Sequence, residues 1–241
     1  VVVISEKCQF SFASREFLLH LYLIRHAESE NNALPEHLRV EDPSITARGR
    51  EQAEYLARWL AEHPLDQVIT SPFRRALQTL APLFQRCQYP IEVSSDIVER
   101  GGCYRGWHPG NWEGARGLTP AEIHALLPGV TIDSRITDAG WWANRPRETD
   151  PEAELRAEQL ELQLRQRFAT SRARVAMITH AEFQRILLAK MLSPQNVSAA
   201  SLGPICNAGI TYLTWQDEGW KLHWFNAVTH MPSSFVSGAK G

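Results

Sequence analysis

Two hydrophobic patterns alternate along this chain: short unbroken apolar runs, and apolar stripes that recur every three to four residues. The run at residues 18–24 predicts a buried strand, and it stops abruptly at the charged pair Arg25 and His26. Shorter runs at 67–70, 90–93 and 174–179 predict further strands. The first of these leads into Ser71-Pro72-Phe73-Arg74-Arg75, and the last ends at His180. In 46–63, Ala53, Leu56, Ala57 and Leu60 fall at i, i+3, i+4 and i+7, the stripe of an amphipathic helix. Thr46 is placed to cap it, and Pro64 sits just past its end. Residues 72–85 predict a second helix, opened by Pro72 and bent or shortened at Pro82. Helices are also predicted at 119–127, 150–170 and 181–192. A closing hairpin is expected from strands 210–215 and 220–225 around Gln216, Asp217, Glu218 and Gly219.

Strands alternating with helices imply an α/β fold, a three-layer α/β/α sandwich with a mostly parallel central sheet covered on both faces. The expected organisation is a single domain at 17–236, a peripheral N-terminal segment at 1–16 and a C-terminal tail at 237–241. The stretch 101–144 breaks the alternation. It holds eight of the 14 glycines and four of the eight tryptophans: Trp107, Trp112, Trp141 and Trp142. We read it as a Trp- and Gly-rich insertion over the strand ends. Two roles remain open for it: a lid or specificity element, or an excursion whose tryptophans pack into a small core of their own.

Composition narrows the class. With 241 residues, 44% hydrophobic and 22% charged, the chain reads as an ordinary globular protein. A net charge of −2 argues against a general nucleic-acid binder, yet permits a local positive pocket. Cys8, Cys87, Cys103 and Cys206 lack zinc-ligand spacing and read as free thiols in a reducing, cytoplasmic setting. The apolar run at 17–24 is too short to span a bilayer and lacks a small-residue cleavage site, so no membrane association is expected. No metal pair of the His-x-x-x-His kind appears on a predicted helix, and neither a metal nor a cofactor is expected. The helical faces are compatible with a homodimer without demanding one.

Three predicted strand ends deliver His26, His180 and a set of arginines to one edge of the sheet, where open α/β sheets bind ligands. That combination suits an anionic substrate and a nitrogen nucleophile. The same residues carry a family resemblance. Leu23-Ile24-Arg25-His26-Ala27-Glu28-Ser29 with Asn32 resembles the Arg-His-Gly-Glu-Ser/Thr-x-x-Asn signature of the histidine phosphatase superfamily, the phosphoglycerate mutase-like fold. Residues 71–79 resemble its second block, and Ile178-Thr179-His180-Ala181 its third. The blocks occur in the family's order and the likeness covers roughly 19–232.

The resemblance implies an enzyme that cleaves phosphate monoesters of small phosphorylated metabolites. His26 would be the nucleophile, kept neutral by the nearby Arg25 and Arg75. Arg25 and Arg75 would clamp the phosphoryl oxygens, with Arg74 left to solvent or an ion pair. His180 would donate to the phosphoryl group, as a cation. Asn32 and the Ala181 N–H would bind the same phosphate. Ala27 and Ala181 stand where the family usually has glycine. Glu99, in Asp96-Ile97-Val98-Glu99-Arg100-Gly101-Gly102, matches the family's acid and base, against the plainer reading of an ion pair with Arg100 or Arg105. Such an acid must carry its proton when the alcohol leaves, which a site shielded by tryptophans favours. Glu28 is a weaker rival, better suited to fixing an arginine. Thr46, Arg100 and Tyr104 are candidate substrate contacts, although capping explains Thr46 equally well.

The phosphatase reading competes with a cofactor-dependent phosphoglycerate mutase and, further off, a non-catalytic phospho-ligand binder or a metal-dependent hydrolase. The stretch after Glu99 holds Arg105, Arg116 and Arg135 but no adjacent arginine pair, which favours a bulkier or less charged leaving group.

Overall fold

The computed structural model describes residues 19–238 apart from Trp107, Pro109, 169–170, 194–196 and 217–218. The expected segment 1–16, the first residue of the predicted strand (Leu18), Trp107, the end of the helix at 169–170 and the hairpin tip at 217–218 lie outside the described residues.

The first apolar run is strand β1 (Leu19–Arg25). It is followed by the short helix α1 (Glu30–Ala33), α2 (Ala47–Ala61), β2 (Gln67–Thr70), α3 (Arg74–Arg86) and β3 (Ile91–Val93). Then come the two-residue strands β4 (Tyr104–Arg105) and β5 (Glu113–Gly114), α4 (Pro120–Leu126) and β6 (Thr131–Ile132). The chain continues with α5 (Asp150–Phe168), β7 (Arg174–Thr179), α6 (Ala181–Met191) and the hairpin β8 (Ile210–Gln216) and β9 (Gly219–Ala227).

The seven-stranded sheet has the order β6-β3-β2-β7-β1-β8-β9. Its first five strands are parallel, and β8 and β9 add an antiparallel edge. Alternate residues of a strand point to opposite faces, and here they divide the core in two. Tyr22, Ile24, Val68, Ala176 and Ile178 pack with α2 and α3 through Leu56, Leu60, Leu77 and Leu80. Leu21, Leu23, Ile69, Val175 and Met177 pack with α5 and α6 through Leu160, Leu164, Phe183 and Leu187. This is the expected α/β sandwich.

Two features depart from the sequence reading. Helix α3 opens at Arg74 rather than at Pro72, and it runs through Pro82 to Arg86 without being shortened. Proline removes one hydrogen bond, but Leu80 and Leu83 are buried on either side of it and hold the helix on the core. The stretch 101–144 also holds more regular structure than its sequence suggests. Its strand β6 extends the main sheet beside β3, and Trp141 and Trp142 are buried in the main core rather than in one of their own. The indole of Trp141 meets the Phe73 ring edge-on at 4.6 Å.

Candidate active site

β1, β7 and β2 lie side by side, so their carboxyl ends bring His26, His180 and the start of α3 together. The β1 backbone stays paired with β7 as far as His26, whose N–H donates to Thr179 O at 2.9 Å. The chain then turns away, and the Ala27 N–H donates to Thr79 Oγ1 at 2.9 Å. Thr79 lies one helical turn after Arg75 and donates to its carbonyl at 2.6 Å. One hydroxyl thus ties the end of β1 to the turn of α3 that carries Arg75.

The guanidinium of Arg75 lies between the two imidazoles. Its Nε donates to His26 Nε2 at 3.1 Å and its Nη2 to His180 Nδ1 at 3.1 Å. The rings of the two histidines are 5.1 Å apart. These donors assign the tautomers. His26 must carry its proton on Nδ1, which lies 2.7 Å from Ala27 O, and its Nε2 lone pair faces the arginine. His180 carries its proton on Nε2 and donates it to Ser71 Oγ at 2.8 Å. The Arg75 guanidinium also stacks 3.9 Å above the Phe73 ring.

Burial holds the His26 imidazole well below its ordinary pKa, with Arg75 and then Arg25 adding to the effect. His26 is therefore neutral, as expected. His180 is pushed well below its ordinary value too, by burial first and then by Arg75, His26 and the more distant arginines. This corrects the expectation of a cationic His180: a ring accepting from an arginine on Nδ1 has no second proton there to give.

Arg25 is buried. Its Nη1 donates to the carbonyls of Ile205 and Gly238, and its Nε is buried without a hydrogen-bond partner. A buried N–H left unpaired costs about 1–3 kcal/mol, which suits a donor reserved for an anion. Gly238 (φ +82°) sits so close that a Cβ there would lie 2.5 Å from Arg25 Nη1. Ser237 and Gly238, read from sequence as part of a tail, are thus docked at the site. Asn207 braces the other side, donating to His26 O and to Asn32 Oδ1.

Glu99 sits at the start of α6, its Oε1 accepting from the N–H groups of Phe183 and Arg100, both at 2.9 Å. The Ala181 N–H belongs to that same first turn of α6. Glu99 and Arg75 line one pocket of about 280 Å³, together with Arg100, Tyr104, Arg105, Trp112 and Arg147 among others. Arg100 and Tyr104, the candidate substrate contacts, thus line the same pocket as Glu99 and Arg75. Cys103, buried nearby, is pushed up to about 12 by burial and the neighbouring Asp42, which makes it an inert thiol.

Other candidates are committed elsewhere. Thr46 Oγ1 accepts from Gly49 N at 3.0 Å as the cap of α2 and donates to Glu28 Oε1 at 2.7 Å. Glu28 also pairs with Arg48 at 3.3 Å. Neither Thr46 nor Glu28 lines the Arg75–Glu99 pocket, so Thr46 is a helix cap rather than a substrate contact there. Asn32 Oδ1 accepts from Ser29 and Asn207, closing the first turn of α1, and it too lines the neighbouring cavity with Glu28 and Thr46. Of the three arginines expected after Glu99, only Arg105 reaches the pocket. Arg116 pairs with Glu122, and Arg135 with Asp96 and Asp133. Arg39 and Arg147 join Arg75, Arg100 and Arg105 along its wall, so the pocket is richer in positive charge than the sequence reading allowed. No cluster of histidine, cysteine and carboxylate side chains able to hold a metal occurs among the described residues. No helix among them is long and apolar enough to cross a membrane.

Residues 21–228 match the family described as the histidine phosphatase superfamily (branch 1). The chain belongs to that superfamily. It is 31% identical over 121 residues to glucosyl-3-phosphoglycerate phosphatase of Mycolicibacterium vanbaalenii, covering 50% of this chain and 49% of the relative. It is 32% identical over 82 residues to phosphoserine phosphatase 1 of Hydrogenobacter thermophilus, covering 34% of this chain and 39% of the relative. It is 27% identical over 118 residues to 2,3-bisphosphoglycerate-dependent phosphoglycerate mutase 1 of Gloeobacter violaceus, covering 49% and 50%. The match thus spans about half or less of each relative's length. The fold resembles that of mycobacterial glucosyl-3-phosphoglycerate phosphatase with a TM-score of 0.59, 24% identity and coverage of 88% of this chain and 100% of the other.

Within this histidine phosphatase fold, four residues that position the site had no role in the sequence reading. Ser71 and Thr79 lie inside the second block, but nothing in their spacing shows that one meets His180 and the other the end of β1. Asn207 lies in irregular chain before β8 and Arg147 just ahead of α5, where no periodicity marks a side chain's direction.

Proposed function

We propose that this protein is a metal-independent phosphatase that hydrolyses phosphate monoesters of small molecules through a phosphohistidine at His26. The observation that carries the reading is the Arg75 fork between two neutral imidazoles, with one donor on each and no carboxylate in its pairings. A substrate phosphoryl group is the acceptor that would replace those nitrogens, since a guanidinium grips two phosphate oxygens in one plane.

In the first step the Nε2 lone pair of His26 forms an N–P bond as the ester P–O bond breaks, and Glu99 gives its proton to the departing alkoxide. In the second step water attacks phosphorus and loses its proton to Glu99. The N–P bond then breaks, returning its electron pair to Nε2, and inorganic phosphate leaves. The Nδ1–H bond to Ala27 O keeps Nε2 as the free nitrogen throughout. Arg75, the unpaired Nε of Arg25 and the Ala181 N–H stabilise charge on the phosphoryl oxygens, with His180 orienting Arg75 through Nδ1. Support for a phosphatase comes from the phosphatase relatives, and for the pairing of His26 with Arg75 from the distances above.

The test is turnover of 4-nitrophenyl phosphate in excess chelator by the parent and by His26→Ala, with 3-phosphoglycerate in parallel. Phosphate release that survives chelator and disappears in His26→Ala is the expected result. The arginine-rich wall of the pocket also favours a second reading, a phosphoglycerate mutase. Diphosphoglycerate-dependent interconversion of phosphoglycerates without hydrolysis would decide for it.

A further inference from the structure

The arginines along the pocket wall are not equivalent. Arg39 pairs with Glu36 at 3.2 Å, Arg100 with Asp150 at 3.3 Å and Arg105 with Glu41 at 3.1 Å. Arg75 is taken up by the two histidines. Arg147 differs: among the described residues no carboxylate lies within 4.0 Å of it, and its Nε is buried without a hydrogen-bond partner. Two aromatic rings hold it instead. Its guanidinium lies 4.2 Å from the centre of the Trp112 ring and 5.3 Å from that of Tyr104. Stacking fixes the plane of a guanidinium and leaves its N–H edge open to an acceptor.

The backbone around Arg147 is also fixed relative to Glu99. The next residue, Glu148, donates its N–H to Gly101 O at 3.1 Å and accepts the Gly101 N–H on Oε2 at 3.2 Å. Glu148 is further pinned by Arg156, through Nε at 2.8 Å and Nη2 at 2.7 Å. Gly101 (φ +94°) lets the parts come this close, since a Cβ there would lie 2.9 Å from the Tyr104 ring and 3.2 Å from Arg147 Nε. Arg147 and the Glu99 loop therefore form one braced unit, both facing a pocket whose floor carries Arg75.

We propose that Arg147, on its Trp112–Tyr104 shelf, is an anion clamp for the leaving group, and that the preferred substrate is a phosphomonoester whose alcohol bears a second negative charge, a carboxylate or another phosphate. This rests on the phosphatase reading for the position of the phosphoryl group at His26 and Arg75. The phosphoryl group sits at the floor, its ester oxygen faces Glu99, and the second anion meets Arg147.

The test compares 3-phosphoglycerate with sn-glycerol 3-phosphate, which differ by a carboxylate against an uncharged hydroxymethyl, and includes fructose 1,6-bisphosphate for the second-phosphate case. For each, kcat/KM and the calorimetric binding constant are measured for the parent, Arg147→Met and Arg147→Lys. The parent should favour at least one doubly anionic ester over glycerol 3-phosphate. Arg147→Met should reduce that preference about ten- to a hundredfold, the size of one charge-assisted contact, and Arg147→Lys should restore it in part. Which ester shows the effect identifies the second anion. Should Arg147→Met fail to fold, Trp112→Ala removes the shelf at a solvent-facing position and must reduce the same preference. A preference that is absent in the parent, or unchanged in these variants, overturns the assignment. Loss of turnover on every ester, 4-nitrophenyl phosphate included, would instead refute the phosphatase reading, and the binding ratios would still decide the role of Arg147.

Discussion

Arg75 Nε donates to His26 Nε2 at 3.1 Å, so the proposed phosphate clamp lies directly on the nitrogen proposed as nucleophile. The same guanidinium holds His180 through Nη2 at 3.1 Å. A lysine keeps the charge but cannot reproduce two donors at a fixed angle. Arg75→Lys should therefore lower kcat for an aryl phosphate by about a hundred- to a thousandfold, the cost of losing a preorganised donor. Steady-state kinetics beside His26→Ala would check this, and a loss below tenfold would mean that charge alone suffices.

Burial and the neighbouring arginines hold His26 and His180 well below the ordinary histidine pKa. The acid limb of kcat/KM that reports these two histidines in the free enzyme should then lie clearly below pH 6.5. The same shifts bear on stability. Below pH 6.5 the unfolded chain binds protons that these folded histidines refuse, so stability falls as pH falls, by up to about 1.4 kcal/mol per pH unit for each. His230, pushed by burial down to about 4, adds to this between pH 6.5 and 4. Melting curves across pH 4–8 should show the decline, with a shallower slope in His230→Phe.

Asp42 carries the opposite sign. Its Oδ1 accepts the Arg74 N–H at 2.8 Å at the start of α3, while Oδ2 is buried without a partner. Burial pushes its carboxyl up to about 6, against the pull of Arg75. A folded-state value above the unfolded one means that the ionised form costs stability, a cost that grows as pH rises from about 4 through 6 and is fully present above that. Asp42→Asn keeps an acceptor for Arg74. It should melt above the parent at pH 8 and lose that advantage near pH 4, while weakening the setting of Arg75. Equal melting temperatures at both pH values would contradict the assignment.

Arg156 joins Glu148 in a largely buried pair and also donates to the carbonyls of Asp96 and Val98, at 2.8 and 3.1 Å. It thus braces the loop that carries Glu99 from both ends. Removing one member of a buried pair costs about 3–5 kcal/mol. Arg156→Met should lower stability by that order and kcat disproportionately to KM, as denaturant titration and kinetics together would reveal.

Thr46→Ala offers a contrast at a residue that sequence alone could not assign. As the cap of α2 it should cost about 1 kcal/mol of stability with little change in KM for any phosphoester. A tenfold rise in KM would restore it as a substrate contact.

Much of this was legible because apolar runs and charged ends sit together in the chain. β1 reads as a buried run, and its stop at Arg25 and His26 marks the sheet edge where the site lies. His180 is legible for the same reason, at the end of β7. Arg75 is legible through the block that carries it, whereas its fork joins a histidine 49 residues before it to one 105 residues after it. The two-residue strands β4, β5 and β6 have no period to detect, which made 101–144 look emptier than it is. The neutral state of His180 follows from burial and from Arg75 lying on Nδ1, and neither is written in Ile178-Thr179-His180. Arg147 gives no signal because its stack is assembled on Tyr104 of β4 and Trp112 just before β5, more than thirty residues earlier in the chain.

The most direct test of the central claim is a rapid-quench single turnover with a ³²P-labelled phosphomonoester, followed by mapping of the label. The account predicts an acid-labile, base-stable phosphoryl group on His26 that forms and decays at rates compatible with kcat, is absent in His26→Ala, and accumulates when Glu99→Gln slows the attack of water. Turnover with no labelled enzyme at any time, or label on another residue, would contradict it.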